Sequence, residues 1–212
     1  LGGVGMWIRA GAILSAASCL AWVARLFGAS EAELLAPLGE RPTAPSPVSF
    51  LPYLSGQRTQ HDAADVRCML VGLRHATDRD SIVQAVLDGV AFALVDCRDV
   101  LAETGIAVTE ADVIGGGSRS RFWLRVLADV LNVPVHRFAD GETGAAFGAA
   151  RLARLAVTGE VIDAVCTAPQ RVETFAPDPA LAGAYAERLP HWRGLYRPRR
   201  TQNIPIGSVT KR

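Results

Sequence analysis

Apolar residues recur along this chain in two rhythms, a helical spacing of three to four positions and short unbroken runs that suit buried strands. Ile13, Leu14, Ala17, Leu20, Ala21, Ala24 and Phe27 keep the helical spacing, and Gly28 stands where a left-handed cap would end that helix. Ser30 predicts the next helix start, with Glu33 completing a capping box. Gly39 to Pro47 holds three prolines and reads as a loop. Val48, Phe50, Leu51, Tyr53 and Leu54 predict a short strand closed by Ser55 and Gly56, and the polar text from Gln57 to Leu70 predicts a surface excursion. Asp80 or Ser81 is placed to cap a long helix whose Ile82, Val83, Val86, Leu87, Val90, Leu94 and Val95 share one face as far as about Thr104.

A strand over Ala111 to Ile114, a turn at Gly115 to Gly117 and a helix over Arg119 to Leu131 come next, the helix turning Phe122, Trp123, Val126, Leu127 and Val130 inward. A strand over Val133 to Phe138 and a helix over Gly144 to Val157 follow, and a closing helix runs from Pro179 to Tyr196. The alternation of strand and helix predicts an α/β layered domain. It is expected to occupy residues 1–196, with 197–212, which carry Arg197, Arg199 and Arg200, as a disordered basic tail.

Composition narrows the function classes. The chain has 212 residues, 50% hydrophobic and 20% charged, which suits one globular domain. Its 22 Lys+Arg balance 21 Asp+Glu to a net charge of +1, so nothing favours nucleic acid or an acidic membrane surface. The apolar stretch from Ala10 is bracketed by Arg9 and Arg25, short of the ~20 residues a bilayer crossing needs. Cys19, Cys68, Cys97 and Cys166 form no CxxC pair and no zinc spacing; they read as buried thiols of a reducing, cytoplasmic setting.

The chemistry-bearing text is DVIGGGSRSRFWLRVLADVLNVPV, residues 112–135. A strand that delivers three glycines toward a helix start offers unhindered backbone, suited to a phosphate or to a ribose and base lying flat, although such a triplet is also a common tight connection. It is neither a P-loop, since no Gly-Lys-Ser/Thr follows, nor the dinucleotide fingerprint, since Ser120 stands where that pattern needs glycine. In ETGAAFGAARLA, residues 142–153, Gly144, Ala145, Ala146, Gly148, Ala149 and Ala150 predict a helix that packs tightly or walls a pocket. Asp62, Asp65, His61 and His75 have no motif partner and read as surface residues, while Arg58 reads equally as a functional charge or a salt-bridge member.

AILSAASCLAWVARLFG (12–28), FLPYLSGQRTQHDAADVRCMLVGL (50–73) with AVLDGVAFALVD (85–96), and VIGGGSRSRFWLRVLADVL with the small-residue helix together resemble the C-terminal domain of the FGGY carbohydrate kinases, the xylulokinases in particular. The resemblance runs from about Trp7 to Leu155. It implies an actin-like, ribonuclease-H-like ATPase fold, of which this chain is the C-terminal half, with ATP and Mg²⁺ in the interdomain cleft. It implies transfer of the γ-phosphoryl group to D-xylulose, with glycerol or ribulose as sister substrates and a non-catalytic nucleotide-binding fragment as the other alternative.

By the same resemblance Gly115, Gly116, Gly117, Ser118 and Arg121 hold the nucleotide from one side, and Ala17 and Ala21 approach it from across the cleft. No catalytic residue and no metal ligand is assigned here: the catalytic Asp is expected in an N-terminal domain that this sequence does not include, so the chain alone is expected to phosphorylate no sugar. A lone half is also expected to expose an apolar interdomain face, which favours a homodimer. The sequence departs from the family's pattern at Ala21, where an acidic residue is usual, at Gln57 and Gln60 in place of a carboxylate and a proline, and at Cys68 and Ser81.

Overall fold

The computed structural model describes residues 8–59, 62–139, 141 and 144–196, so the predicted tail, Trp7, Gln60 and His61 lie outside the described residues. Helix α1 (Ala17–Phe27) ends at Gly28, whose φ of 62° is the left-handed cap expected of it. Ile13 and Leu14 precede the helix rather than joining it, and Leu14 is exposed. Helix α2 (Glu31–Leu35) carries the predicted capping box, with the Glu33 backbone N–H donating to Ser30 Oγ at 3.2 Å and the Ser30 N–H donating to Glu33 Oε2 at 2.7 Å.

Strand β1 (Ser49–Leu51) is shorter than its apolar run, and it pairs antiparallel with β2 (Met69–Val71), Phe50 facing Leu70. The excursion predicted over Gln57 to Leu70 is therefore corrected at its end. An edge strand with a half-exposed face leaves little periodic signal in so short a segment. Gln57 is likewise not on the surface: it is 2% exposed and its backbone bridges Ala63.

The long helix α3 (Arg79–Glu103) is capped by Asp78, not by Asp80 or Ser81; the Asp78 carboxylate accepts the Ser81 N–H at 2.8 Å. Helix α3 lies against β1, α1 and α4, which is why its residues from Ala85 to Ala93 are buried on every side. Strand β3 (Ala111–Val113), helix α4 (Arg121–Leu131) and strand β4 (Val135–Phe138) form a parallel βαβ unit, with Ala111 opposite Val135. Helix α5 (Gly144–Thr158) and the short α6 (Ile162–Val165) follow, and β5 (Arg171–Phe175) returns antiparallel to β4.

Helix α7 (Pro179–Leu195) closes the fold against α4 and β1. Its Trp192 indole N–H donates to the Phe50 carbonyl at 2.7 Å, and its Arg193 reaches buried Asp96 at 2.7 Å and Asp99 at 2.5 Å. The tight packing expected of α5 is not found: none of its described residues is buried, and a side chain added at Gly148 would meet open space. Only Gly144 is closely approached, by the Ile114 side chain.

The thiols also divide: Cys19 and Cys97 are buried, whereas Cys68 and Cys166 are half-exposed. Burial, with Cys68 adding to it, pushes the Cys19 thiol up to about 12.

Buried Asp88 on α3 accepts the Ser46 backbone N–H at 2.9 Å and the Tyr185 hydroxyl at 3.0 Å. Burial nevertheless pushes its carboxyl up to about 7, the two hydrogen bonds opposing that shift. A carboxyl titrating higher in the folded chain than the ~3.9 of the unfolded one binds its proton more tightly when folded. Its contribution to stability is complete below about 4 and is lost as pH rises through about 7. Between pH 5 and pH 8 the natural chain is expected to lose stability relative to Asp88→Asn, by on the order of 2 kcal/mol, read from urea unfolding at each pH.

Candidate functional site

The local chemistry of the glycine segment builds one wall of a cleft. Gly115 has φ +89°, and its N–H donates to the Gly141 carbonyl at 2.9 Å. A side chain at Gly115 would meet no atom, so glycine is required there by backbone conformation and not by space. The next residues, Gly116–Arg119, form one 3₁₀ turn, and only then does α4 begin, its first turn capped by Ser120, which accepts the Trp123 N–H at 3.2 Å. The predicted helix start at Arg119 is thus corrected: the glycines do not run straight into α4, and Ser120 already takes one of the helix's free N–H donors.

Ser118 is 3% exposed and spends its hydroxyl on the Gly115 carbonyl at 2.8 Å, so it fastens the turn from inside. At Gly117, space is the constraint. A Cβ there would stand 3.0 Å from the Trp123 ring, itself packed in the core.

Opposite this wall stand α1 and α2 with the turn that follows them, enclosing with it a cleft of about 1060 Å³. That volume is at the upper end of small-ligand sites, roughly 300–1,000 Å³. Gly116, Gly117 and Arg121 line it from one side and Ala17 and Ala21 from the other, whereas Gly115 and Ser118 sit behind the lining. The part of the far wall that α1 supplies is largely small and apolar, because the opposite side of α1 carries Cys19 and Val23 into the core and leaves Ala17, Leu20, Ala21 and Ala24 toward the cleft. With Ala21 in the position where the resemblance puts an acidic residue, that wall carries one charge fewer.

Arg121 stands at the mouth with 43% of its side chain exposed. Its Nη2 meets Glu173 at 2.7 Å, its Nε lies 3.6 Å from Glu40, and its guanidinium stacks 5.8 Å from the Phe175 ring centre. Sequence reading missed Glu40 and Glu173. One lies in the proline-rich loop and the other in an edge strand, and neither has a spacing that points to Arg121.

His75, Asp62, Asp65 and Arg58 are exposed residues outside the cleft lining. Another cluster forms beside β4, where His136 lies 3.1 Å from Glu110 and Arg171 ion-pairs with both Glu110 and Asp112. Arg171 chiefly, and His136 after it, hold the Glu110 carboxyl below its usual range. Among the described residues no group of three or more His, Cys, Asp and Glu side chains is placed to hold a metal ion. The carboxylates on the cleft, Glu31 and Glu40, both belong to the wall facing the glycines. The described residues therefore form no metal cage of their own, and across the cleft the bare glycine backbone faces alanines.

Comparison with known proteins agrees with this architecture. The crystal structure of a xyloylose kinase from Brucella ovis superposes with a TM-score of 0.80 at 46% identity, over 88% of this chain and 38% of that one. The xylulose kinase structure from Rhodospirillum rubrum gives 0.71 at 30% identity, over 88% of this chain and 38% of that one. In sequence, xylulose kinase of Escherichia coli is 38% identical over 193 residues, 90% of this chain and 40% of the relative. The chain thus spans about two fifths of the length of such relatives. These structures share the actin-like, C-terminal-half architecture that the resemblance implied, and no described helix is long and apolar enough to cross a membrane. Residues 2–157 match the profile of the C-terminal domain of the FGGY family of carbohydrate kinases, and the chain belongs to that family.

Proposed function

We propose that this chain is the nucleotide-binding half of a sugar kinase that transfers the γ-phosphoryl group of ATP to D-xylulose, giving D-xylulose 5-phosphate. The observation that carries this reading is the side-chain-free backbone of Gly116 and Gly117 on a cleft opposite Ala17 and Ala21, in a chain whose relatives are xylulose kinases. ATP supplies the phosphoryl group; the residues of this chain bind and orient. The Ser120 cap and the 3₁₀ turn favour a base and ribose lying on the glycines over a phosphate seated at the start of α4. The alanines of α1 close over the other face of such a ligand.

No side chain of the cleft is assigned as the base that activates the sugar, and a second domain is the expected source of it and of most sugar contacts. The polyol alternative keeps one specific support, a glycerol kinase of Limosilactobacillus reuteri 34% identical over 152 residues. Calorimetry with ADP tests the site. Ala17→Phe, at an exposed position on the cleft wall, is expected to weaken binding at least about tenfold with the fold intact. Gly117→Val does the same while pressing on Trp123. ADP affinity unchanged by Ala17→Phe sinks the reading.

A further inference from the structure

We infer that Glu40 and Arg121 form a strap across the cleft mouth that gates ligand exchange, with Arg121 acting through Glu40 rather than on the ligand. This rests on the nucleotide reading of the cleft. The two residues come from opposite walls: Glu40 follows the short turn after α2, and Arg121 opens α4 beside the glycines. Their pair, Nε to Oε2 at 3.6 Å, therefore joins the walls.

The two ends of the strap are unequally fixed. Arg121 is anchored from behind by Glu173 at 2.7 Å, a carboxylate only 20% exposed, and rests over the buried Phe175 ring. Glu40 is 73% exposed, and the preceding Gly39 has φ +73° with open space where a side chain would be. The moving end is thus the Glu40 side, and the arginine is the post it closes upon. With its guanidinium shared between two carboxylates, Arg121 has much of its charge already answered, which suits a post better than a phosphate clamp.

A gate and a ligand contact leave different kinetic signatures. Breaking a pair that closes equally over the empty and the filled cleft raises the rates of entry and exit together and leaves Kd unchanged, whereas losing a ligand contact raises the exit rate alone. An exposed ion pair of this kind is expected to shift the open fraction about two- to fivefold.

Stopped-flow measurement with a fluorescent ADP on the full chain, Glu40→Gln, Arg121→Gln and the double variant provides the test. Both single variants are expected to bind and release ADP about two to five times faster, with the double no faster than either. At 1 M NaCl, where screening acts within about 3 Å, the difference is expected to vanish. Amide exchange at Gly39 and Glu40 is expected to quicken in both variants without ligand. Faster release with unchanged entry in Arg121→Gln overturns the strap and makes Arg121 a ligand contact. Identical rates in all four proteins overturn the strap and leave the nucleotide reading standing; no ADP binding by any of them overturns both.

Discussion

Trp192→Ala is expected to remove about 5 kcal/mol of unfolding free energy, measured as a fall in the urea midpoint with the slope unchanged. The indole is 1% exposed, its ring 5.5 Å from that of Phe92 and 6.5 Å from that of Tyr53. Truncating a buried aromatic of this size costs roughly 3–5 kcal/mol through lost transfer and residual cavity. The Phe50 carbonyl also loses the N–H that it accepts, adding about 1–3 kcal/mol for a buried group left without a partner. Since domains are stable by only about 5–15 kcal/mol, much of the variant is expected to be unfolded at 37 °C. Trp192→Phe keeps most of the volume and separates the two causes; it is expected to cost only the carbonyl's share. Equal losses from Phe and Ala would show that the cavity contributes nothing.

The second large effect is at Gly89, in the middle of α3. A Cβ there would lie 2.1 Å from the Phe50 carbonyl oxygen and 3.0 Å from its carbon, and both atoms are strand backbone. That strand cannot yield easily, because it is paired to β2 on one side and held by Trp192 on the other. Gly89→Ala is therefore expected to cost about 3 kcal/mol or more as α3 is forced away from β1, lowering Tm by roughly 10 °C in calorimetry. Gly148→Ala is the matched control, also within a helix but facing open space, and is expected to stabilise by about 0.5–1 kcal/mol. A Gly89→Ala protein as stable as the parent would mean that α3 and β1 do not touch there.

Where a helix faces the core, its text gave the answer. In α4, Phe122, Trp123, Val126, Leu127 and Val130 are all buried as their spacing predicts, although Leu124, Ala128, Asp129 and Leu131 are buried as well, so that the helix is covered on nearly every side and only its two arginines are not buried. The start of α3 was harder to read: Asp78, Asp80 and Ser81 are all competent caps, and the choice of Asp78 depends on how the preceding loop enters. Strands β2 and β5 escaped because pairing, not composition, makes them; of β5 only Phe175 is buried. The small-residue stretch of α5 reads as packing, yet small side chains are equally at home on an open face, and the text cannot tell the two apart.

The cleft was legible in pieces only. Its walls, Ala17 and Gly116, are about a hundred positions apart, and no periodicity connects them; the family resemblance did. The Glu40 to Arg121 pair escaped both kinds of reading, since it depends on where a proline-rich loop comes to rest.

The match to the family's domain profile ends at residue 157, whereas Tyr185, Trp192 and Arg193 on α7 complete the interior behind β1 and α3. The length that the domain profile covers is thus shorter than the length that must act as one cooperative body. A protein trimmed to the profile's bounds would keep the cleft's walls on paper and forfeit the buttress that holds the long helix behind them.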